Sequence, residues 1–309
     1  MMLPSQSQRV WMLLAVLAGL PGWWWLAGRL EPRDGLGGWL LAEALQGGTG
    51  SVVGSGVAVV VLGLPAVLGA AVVAGRGSAL TGAWCVACCG LVAGAGLGGG
   101  HRDTGGLGGL GGVMRRADEA GRLELLYPAM AVEVVVWFGL LSLGLGLVEV
   151  LGGVVKRRLP ARWTSRHLGG SLRLWGVSRA GLAAAAVVAA IGAGLEQLTV
   201  VNAEAGQVAG GLILSFALAG LVGQTLFPND RPWAMLMAPG LVAALGYGWA
   251  AWHYAGTGGG GVMLEALYSR RLPGLAAGLP VHHVTAGVLG VVTGVGMGQV
   301  LDRARFEAR

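Results

Sequence analysis

The chain has 309 residues, of which 54% are apolar and 12% are charged, and its formal net charge is +6. A soluble domain is typically about 25% charged, so this composition excludes an ordinary soluble domain and favours a membrane protein. The 60 glycines follow no strict every-third-residue period, which excludes collagen, and their position within apolar runs excludes a flexible linker.

The apolar residues are grouped into segments that are long enough to cross a bilayer. A hydrocarbon core about 30 Å thick requires roughly 20 apolar residues in one helix. Eight segments meet this requirement, numbered in chain order: 10–28, 51–73, 79–98, 125–150, 179–198, 205–226, 234–253 and 282–301. The sequence therefore predicts an all-α, polytopic membrane protein with about eight transmembrane helices.

The basic residues are distributed unequally between the two sides of the membrane. With eight spans, the side that holds both termini carries 13 Lys and Arg residues, whereas the opposite side carries 8. Cytoplasmic loops are enriched in these residues, so both termini are predicted to be cytoplasmic. The use of 20 Arg but only one Lys is typical of a GC-rich bacterial genome, which predicts the bacterial inner membrane as the location.

Short motifs recur in the two halves of the chain at a nearly constant spacing. GGVM at 111–114 recurs 149 residues later at 260–263. GLGLVEVL at 144–151 recurs 150 residues later as GVGMGQVL at 294–301. The same spacing aligns segments 2 to 4 with segments 6 to 8, so the sequence predicts an internal duplication.

This duplication predicts how the halves are arranged in the membrane. Residues 1–152 would form the first four-helix repeat, and residues 153–309 the second. Because four spans is an even number, both repeats would insert in the same orientation, related by a pseudo-two-fold axis along the membrane normal. Duplicated membrane folds often place a pathway or a ligand site between their halves, so a pathway is predicted there.

Segment 4 contains an ionisable residue well inside its apolar run. Glu133 lies about eight residues into the segment, where a charge costs several kcal/mol. Such residues usually face the interior of the bundle and often belong to a pathway or a proton relay. At the repeat spacing of 150 residues, Glu133 corresponds to His283, so both are candidate pathway residues. The alternative is a neutral glutamate that is hydrogen-bonded to a neighbouring helix for structural reasons.

A basic stretch, residues 156–179, connects segments 4 and 5 on the predicted cytoplasmic side. Such a stretch is attracted to anionic headgroups by roughly 1 kcal/mol per basic residue. The expected partner is therefore the bilayer and not nucleic acid, with a soluble docking partner as the alternative. The candidate headgroup ligands are Lys156, Arg157, Arg158, Arg162 and Arg166.

Polar residues also occur in segments 5 and 6. Glu196 lies near the end of segment 5, while Gln207 and Gln224 lie near the two ends of segment 6. Polar side chains within spans either line a path or form hydrogen bonds between helices. Gln207 and Gln224 are therefore further pathway candidates, with interhelical hydrogen bonding as the alternative.

Three histidines lie near the predicted outer ends of segments 7 and 8. His253 would meet His282 and His283 across these two segments. Facing imidazoles ligate haem, copper or zinc, so the three histidines are a candidate metal site. The alternative is that they cap helix ends or lie at the membrane interface. His282 is also a pathway candidate, and no motif indicates a particular cofactor.

Segment 8 has a small residue at every fourth position, namely Ala286, Gly290, Gly294 and Gly298. Small residues at this spacing allow two helix backbones to approach closely. We therefore expect this stripe to pack against a neighbouring helix or against an identical subunit. A homo-oligomer or another membrane protein is accordingly a candidate partner.

These features lead to three hypotheses about the function of the protein. The sequence has no Walker lysine motif, no H-E-x-x-H and no G-x-S-x-G, which disfavours an ATP-hydrolysing pump or a protease with a familiar signature. The duplication and Glu133 favour a small-solute or ion transporter or a channel-like protein. The sparse polar content of the spans is typical of a non-catalytic accessory subunit of a larger membrane complex. The third reading is a membrane-embedded enzyme or electron-transfer subunit that uses the outer histidines.

Overall fold

A computed structural model of the chain describes residues 110–119, 121–158, 178–229, 231–255 and 260–307. Within these ranges the chain is helical and forms no β-strand. Segments 1 to 3 of the sequence prediction lie outside the described residues. The all-α class is therefore confirmed for the described part, whereas the total of eight spans stays a prediction.

The helices are labelled α1 to α10 in chain order. They are α1 Leu110–Glu119, α2 Leu126–Arg158, α3 Arg179–Thr199, α4 Ala205–Leu226, α5 Trp233–Leu236, α6 Ala238–Ala255, α7 Gly260–Tyr268, α8 Gly274–Ala277, α9 Pro280–His282 and α10 Val288–Glu307. A 3₁₀ turn at Leu123–Leu125 precedes α2, and a π-helical turn at His283–Gly287 precedes α10.

Five stretches of the described residues are long and apolar enough to cross a membrane. They are Leu123–Leu151, Arg179–Thr199, Gly206–Leu226, Trp233–Ala255 and His283–Asp302. These stretches coincide with segments 4 to 8, with boundaries that differ by a few residues. The chain therefore has the multi-pass helical character that its composition predicts.

The helical path into the last span is interrupted by two extended residues. Gly278 and Leu279 both have ψ angles of 155°, which ends α8 before α9 begins. Pro280 follows at the first position of α9, where its missing N–H removes no helical hydrogen bond. The π-helical turn at His283–Gly287 then leads directly into α10. This interruption turns backbone carbonyl groups towards the interior of the bundle.

The small-residue stripe of the last span packs against α4 of the same chain. A Cβ atom added at Gly290 would lie 2.6 Å from the carbonyl oxygen of Ile213. One added at Gly298 would lie 2.9 Å from the side chain of Gln224, and Ala286 is fully buried. The closest approach is at Gly294, whose added Cβ would collide with the carbonyl oxygen of Ala217. Glycine therefore sets the distance between these two helices.

The two copies of the GGVM motif lie at the beginnings of two short helices, α1 and α7. These two helices contact each other. A superposition of the two halves requires residues 51–98, which lie outside the described residues. The 4+4 repeat, its pseudo-two-fold axis and the boundary between 1–152 and 153–309 therefore stay predictions.

The order of the described spans makes a prediction about topology that does not depend on segments 1 to 3. Four spans separate the stretch 159–177 from the C-terminus, so reporters fused at these two places should lie on the same side of the membrane. Only three spans separate 159–177 from 256–259, so a reporter there should lie on the opposite side. Paired alkaline phosphatase and fluorescent-protein fusions measure this directly. Equal signals at 256–259 and at the C-terminus would contradict the order of the spans.

Candidate functional site

Glu196 is carried into the protein interior by the buried face of α3. This face consists of small or apolar residues at helical spacing, namely Gly181, Ala184, Val188 and Gly192, and Glu196 is the next residue on it. The side chain of Glu196 is 0% exposed. At Gly274 in α8, an added Cβ would lie only 2.8 Å from the backbone oxygen of Glu196, so α8 closes over this end of α3. A carboxyl group is thus held away from solvent and lipid.

The direct partner of Glu196 is His283, the first residue of the π-helical turn. The Nε2 atom of His283 lies 2.9 Å from Oε1 of Glu196, and both side chains are 0% exposed. π-helical turns within α-helices often occur at functional sites. Segment 5 and segment 8 are therefore joined by a buried carboxyl–imidazole pair.

Tyr247 on α6 contacts the other side of the same imidazole. Its hydroxyl group lies 2.7 Å from the carbonyl oxygen of Gly278 and 3.2 Å from Nδ1 of His283. The two rings meet edge to face, with centroids 5.8 Å apart and an interplanar angle of 86°. Leu279 places its carbonyl oxygen 3.3 Å from the same Nδ1 atom. Both ring nitrogens of His283 are thus engaged by protein groups.

The extended residues before α9 provide the polar backbone of this site. Besides the contact between Tyr247 and Gly278, the hydroxyl group of Tyr127 on α2 donates to the carbonyl oxygen of Ala276 at 3.2 Å. A Cβ atom added at Gly278 would lie 2.7 Å from Cε1 of His283, so a larger residue there would push the imidazole away. Gly278 thus allows the imidazole of His283 to lie beside the interrupted backbone, where it meets Tyr247.

One oxygen of Glu196 remains unsatisfied within the part of the chain that the structure describes. Its Oε2 atom is buried and has no hydrogen-bond partner among those residues. A buried acceptor left unsatisfied costs about 1–3 kcal/mol, and more if the group is charged. Native proteins satisfy most such groups, and the described residues supply no donor for this one.

Glu133 lies in the interior, as its position in segment 4 led us to expect. Its side chain is 2% exposed, and its Oε1 atom accepts a hydrogen bond of 2.9 Å from Nε1 of Trp137, one turn further along α2. The repeat spacing associates Glu133 with His283, but the carboxyl group bonded to His283 belongs to Glu196. The repeat spacing therefore did not identify the carboxyl group that contacts His283.

The two glutamine candidates do not join this cluster. Gln207 is half-buried near the beginning of α4, whereas Gln224 is buried near its end and donates to the backbone oxygen of Asn229 at 3.4 Å. At 1.5 Å per residue, the two glutamines are about 25 Å apart along the helix. The Cβ and Cγ atoms of Gln224 also pack against Gly298 on α10, whereas its hydrogen bond is to the loop that follows α4.

The three histidines do not converge. His253 is exposed on α6 and stacks on Trp249 with a centroid distance of 4.8 Å. His282 is buried, and its Nδ1 atom accepts a hydrogen bond from the backbone nitrogen of Leu279. Among the described residues, no group of three or more His, Cys, Asp or Glu side chains is placed to hold a metal ion. The geometry therefore gives the metal hypothesis no support.

The basic stretch 156–179 lies mostly outside the described residues. Its first three residues continue α2, and its last residue begins α3, which Ser178 caps by accepting a hydrogen bond of 2.9 Å from the backbone nitrogen of Gly181. Binding of anionic headgroups by Lys156, Arg157, Arg158, Arg162 and Arg166 stays a prediction.

Sequence reasoning missed two residues of the site. Tyr247 carries no sequence signal of its own, because a tyrosine in a span is ordinarily assigned to the membrane interface. Glu196 was noted as a polar residue that either lines a path or bonds to another helix, and it was not named as a pathway candidate. Its signal was its position, since it continues a stripe of small residues at four-residue spacing, as at Gly192.

The arrangement can hold and transfer a proton. A carboxyl group and an imidazole 2.9 Å apart share one proton along their hydrogen bond.

No known protein family, curated protein or solved structure matches this chain.

Proposed function

We propose that this protein is a small-solute or ion transporter or a channel-like protein, and that the ion it moves is the proton. The observation that carries this proposal is the pair of His283 and Glu196, which joins two membrane-spanning helices by a fully buried contact of 2.9 Å. The pathway would run beside this pair, between α2 of the first half and the helices of the second.

The physical cost of the pair supports a role beyond stability. Burying two ionisable groups is expensive, and an apolar pair of similar volume is often equally stable or more stable. Ionisable residues within membrane spans commonly belong to ion pathways and proton relays. Histidine is the side chain whose charge changes most readily near neutral pH. Glu196 and His283 together therefore form a chemically suitable site for binding and releasing one proton.

Glu133 supports the same proposal from the other half of the chain. It is a second buried carboxyl group, and its Oε1 atom accepts a hydrogen bond from Trp137 on the same helix. A relay requires protonatable groups besides a single pair, and Glu133 on α2 is a buried candidate for one of them. We place the protein in the bacterial inner membrane with both termini in the cytoplasm, which would put the cluster in the outer half of the bilayer.

Close packing between α2 and α6 favours a second candidate function. A Cβ atom added at Gly240 would lie 2.5 Å from the ring of Phe138, so the two helices fit together without space at this point. A solid contact of this kind is expected of a non-catalytic accessory subunit in a larger membrane complex. Under that function the Glu196–His283 pair would be a structural contact alone.

Proton movement in reconstituted vesicles distinguishes the two functions. Purified protein is placed in liposomes that contain a pH-sensitive dye, and a pH step is applied with the membrane potential clamped by potassium and valinomycin. We expect an initial proton flux above that of empty liposomes, and a loss of about a hundredfold in Glu196→Gln, because glutamine cannot exchange the proton. The matched control is Glu265→Gln on the exposed surface of α7, which should retain the wild-type flux.

The accessory-subunit function makes the opposite prediction for the same vesicles. Wild-type protein would then give no flux above empty liposomes, and Glu196→Gln would be indistinguishable from it. A flux that is equal in the wild type and in Glu196→Gln would also contradict the proposal, because it would place the pathway elsewhere.

A further inference from the structure

We infer that His283 is held in a single tautomer with its hydrogen on Nδ1, and that Tyr247 is the residue that positions it. The exchangeable proton of the site then lies between Nε2 of His283 and Oε1 of Glu196, while Nδ1 keeps its hydrogen. The significance of that proton rests on the proposed function. The two atoms that hold it are Nε2 of His283 and Oε1 of Glu196.

The assignment of Nδ1 follows from the two oxygens that face it. The carbonyl oxygen of Leu279, at 3.3 Å, can only accept a hydrogen bond. The hydroxyl group of Tyr247 has one hydrogen, and its shorter contact, at 2.7 Å, is with the carbonyl oxygen of Gly278, which also only accepts. Tyr247 therefore donates to Gly278 and presents its lone pairs to Nδ1, 3.2 Å away. Both neighbours of Nδ1 are acceptors, so Nδ1 carries the hydrogen.

Nε2 is therefore the one ring nitrogen of His283 that exchanges a proton. With hydrogen on Nδ1, the neutral ring has a lone pair on Nε2, which faces Oε1 of Glu196 at 2.9 Å. One proton between these atoms gives either a neutral acid donating to a neutral ring or a carboxylate accepting from a charged ring. The two forms contain the same number of protons. Moving that proton breaks one O–H bond and forms one N–H bond, and it requires no other reactant.

Removal of this proton leaves two acceptors facing each other. The Glu196 carboxylate and the lone pair on Nε2 would then repel each other at 2.9 Å. The pair without its shared proton is therefore unfavourable until a proton returns. A ring free to change tautomer would relieve this repulsion by moving its own hydrogen to Nε2. Tyr247 and the carbonyl group of Leu279 hold that hydrogen on Nδ1, and they thereby keep Nε2 available to an incoming proton.

The titratable groups around His283 are few among the described residues. Glu196 faces it from α3 and Tyr247 from α6, and His282 precedes it in the chain. On α2, the ring of Tyr127 lies tilted by 31° to that of Tyr247 with a centroid distance of 6.2 Å, and Glu133 is buried on the same helix. Tyr127 donates to Ala276 and makes no hydrogen bond to the imidazole that the structure describes. It is therefore a matched control for Tyr247.

Nitrogen NMR tests the tautomer without requiring activity. The full-length protein is labelled with ¹⁵N-histidine in lipid bilayers, and the signals of His283 are assigned by their loss in His283→Gln. We expect Nδ1 to show the shift of a protonated nitrogen at every pH, while Nε2 alone changes. A wild-type spectrum in which Nε2 is protonated and Nδ1 is not would overturn the inference, whether or not the vesicles conduct protons.

The positioning role of Tyr247 is tested by removing its hydroxyl group. Tyr247→Phe keeps the ring but loses the acceptor, and we expect the ratio of tautomers to shift towards Nε2–H by up to about tenfold, as for one lost hydrogen bond. The pH profile of proton flux should shift with it, whereas Tyr127→Phe should leave both the spectrum and the profile unchanged. An unchanged spectrum in Tyr247→Phe would overturn this role. If the wild type carries hydrogen only on Nδ1 of His283 but shows no proton flux, the proposed function is refuted and the tautomer assignment stands.

Discussion

Replacing His283 with leucine is expected to destabilise the protein by about 3–5 kcal/mol, because it leaves the buried carboxyl group of Glu196 without its partner. Glu196→Leu should have a comparable cost, since the imidazole of His283 would be stranded in the same way. The free energy of unfolding is measured by titration with a denaturing detergent, followed by tryptophan fluorescence. His253→Leu is the matched control, and we expect it to change stability by less than about 0.5 kcal/mol because that side chain is exposed.

The double variant Glu196→Leu/His283→Leu gives the sharper result. With both partners removed, no polar group is stranded, and two apolar side chains fill much of the volume. We therefore expect the double variant to be more stable than either single variant, with a strongly non-additive coupling in the double-mutant cycle. Additive losses would mean that the two side chains do not interact across the helices, which would contradict the geometry of the pair.

Gly294→Leu is expected to have the second large effect, because it places a side chain where two backbones touch. A Cβ atom added at Gly294 would collide with the carbonyl oxygen of Ala217 and would lie 2.7 Å from the backbone nitrogen of Leu221. Backbone atoms cannot move aside as a flexible side chain can, so α4 and α10 must separate. We expect a loss of about 3 kcal/mol in the same unfolding measurement, at the upper end of the cost of overpacking.

The control for this substitution is Gly194→Leu on α3. No heavy atom lies within 4 Å of a Cβ added at Gly194, and that position is exposed. Leucine has a higher helix propensity than glycine, so this variant should be as stable as the wild type or slightly more stable. Equal losses at the two glycines would show that α4 and α10 do not approach as described.

The spans were predictable because their signal is local. Segments 4 to 8 were found from length and apolar content alone, and each coincides with a described span within a few residues. The stripe that includes Gly290 and Gly294 was predictable for the same reason, since its four-residue spacing lies within one helix. Its partner, α4 of the same chain, was not predictable, because spacing within one helix does not identify the surface it meets.

The central pair was not predictable, because its members are 87 residues apart in the chain. Spacing at the predicted repeat offset associated His283 with Glu133, whereas packing places Glu196 against the imidazole. The interruption at Gly278 and Leu279 lies just before segment 8, and the sequence made no prediction about it. That interruption brings Tyr247 and the carbonyl groups to His283, and it results from tertiary contacts that no local pattern encodes.

The measurement that tests the central claim most directly is the potential at which proton flux vanishes. In vesicles clamped by potassium and valinomycin, this null potential is found at several imposed pH differences, for the wild type and for Glu196→Gln. If the protein moves protons through the Glu196–His283 pair, the null potential of the wild type should change by about 59 mV per pH unit, the value for one charge and a tenfold gradient. Glu196→Gln should give no protein-dependent flux under the same conditions. A null potential that follows another ion, or a wild-type flux that persists in Glu196→Gln, would contradict the account.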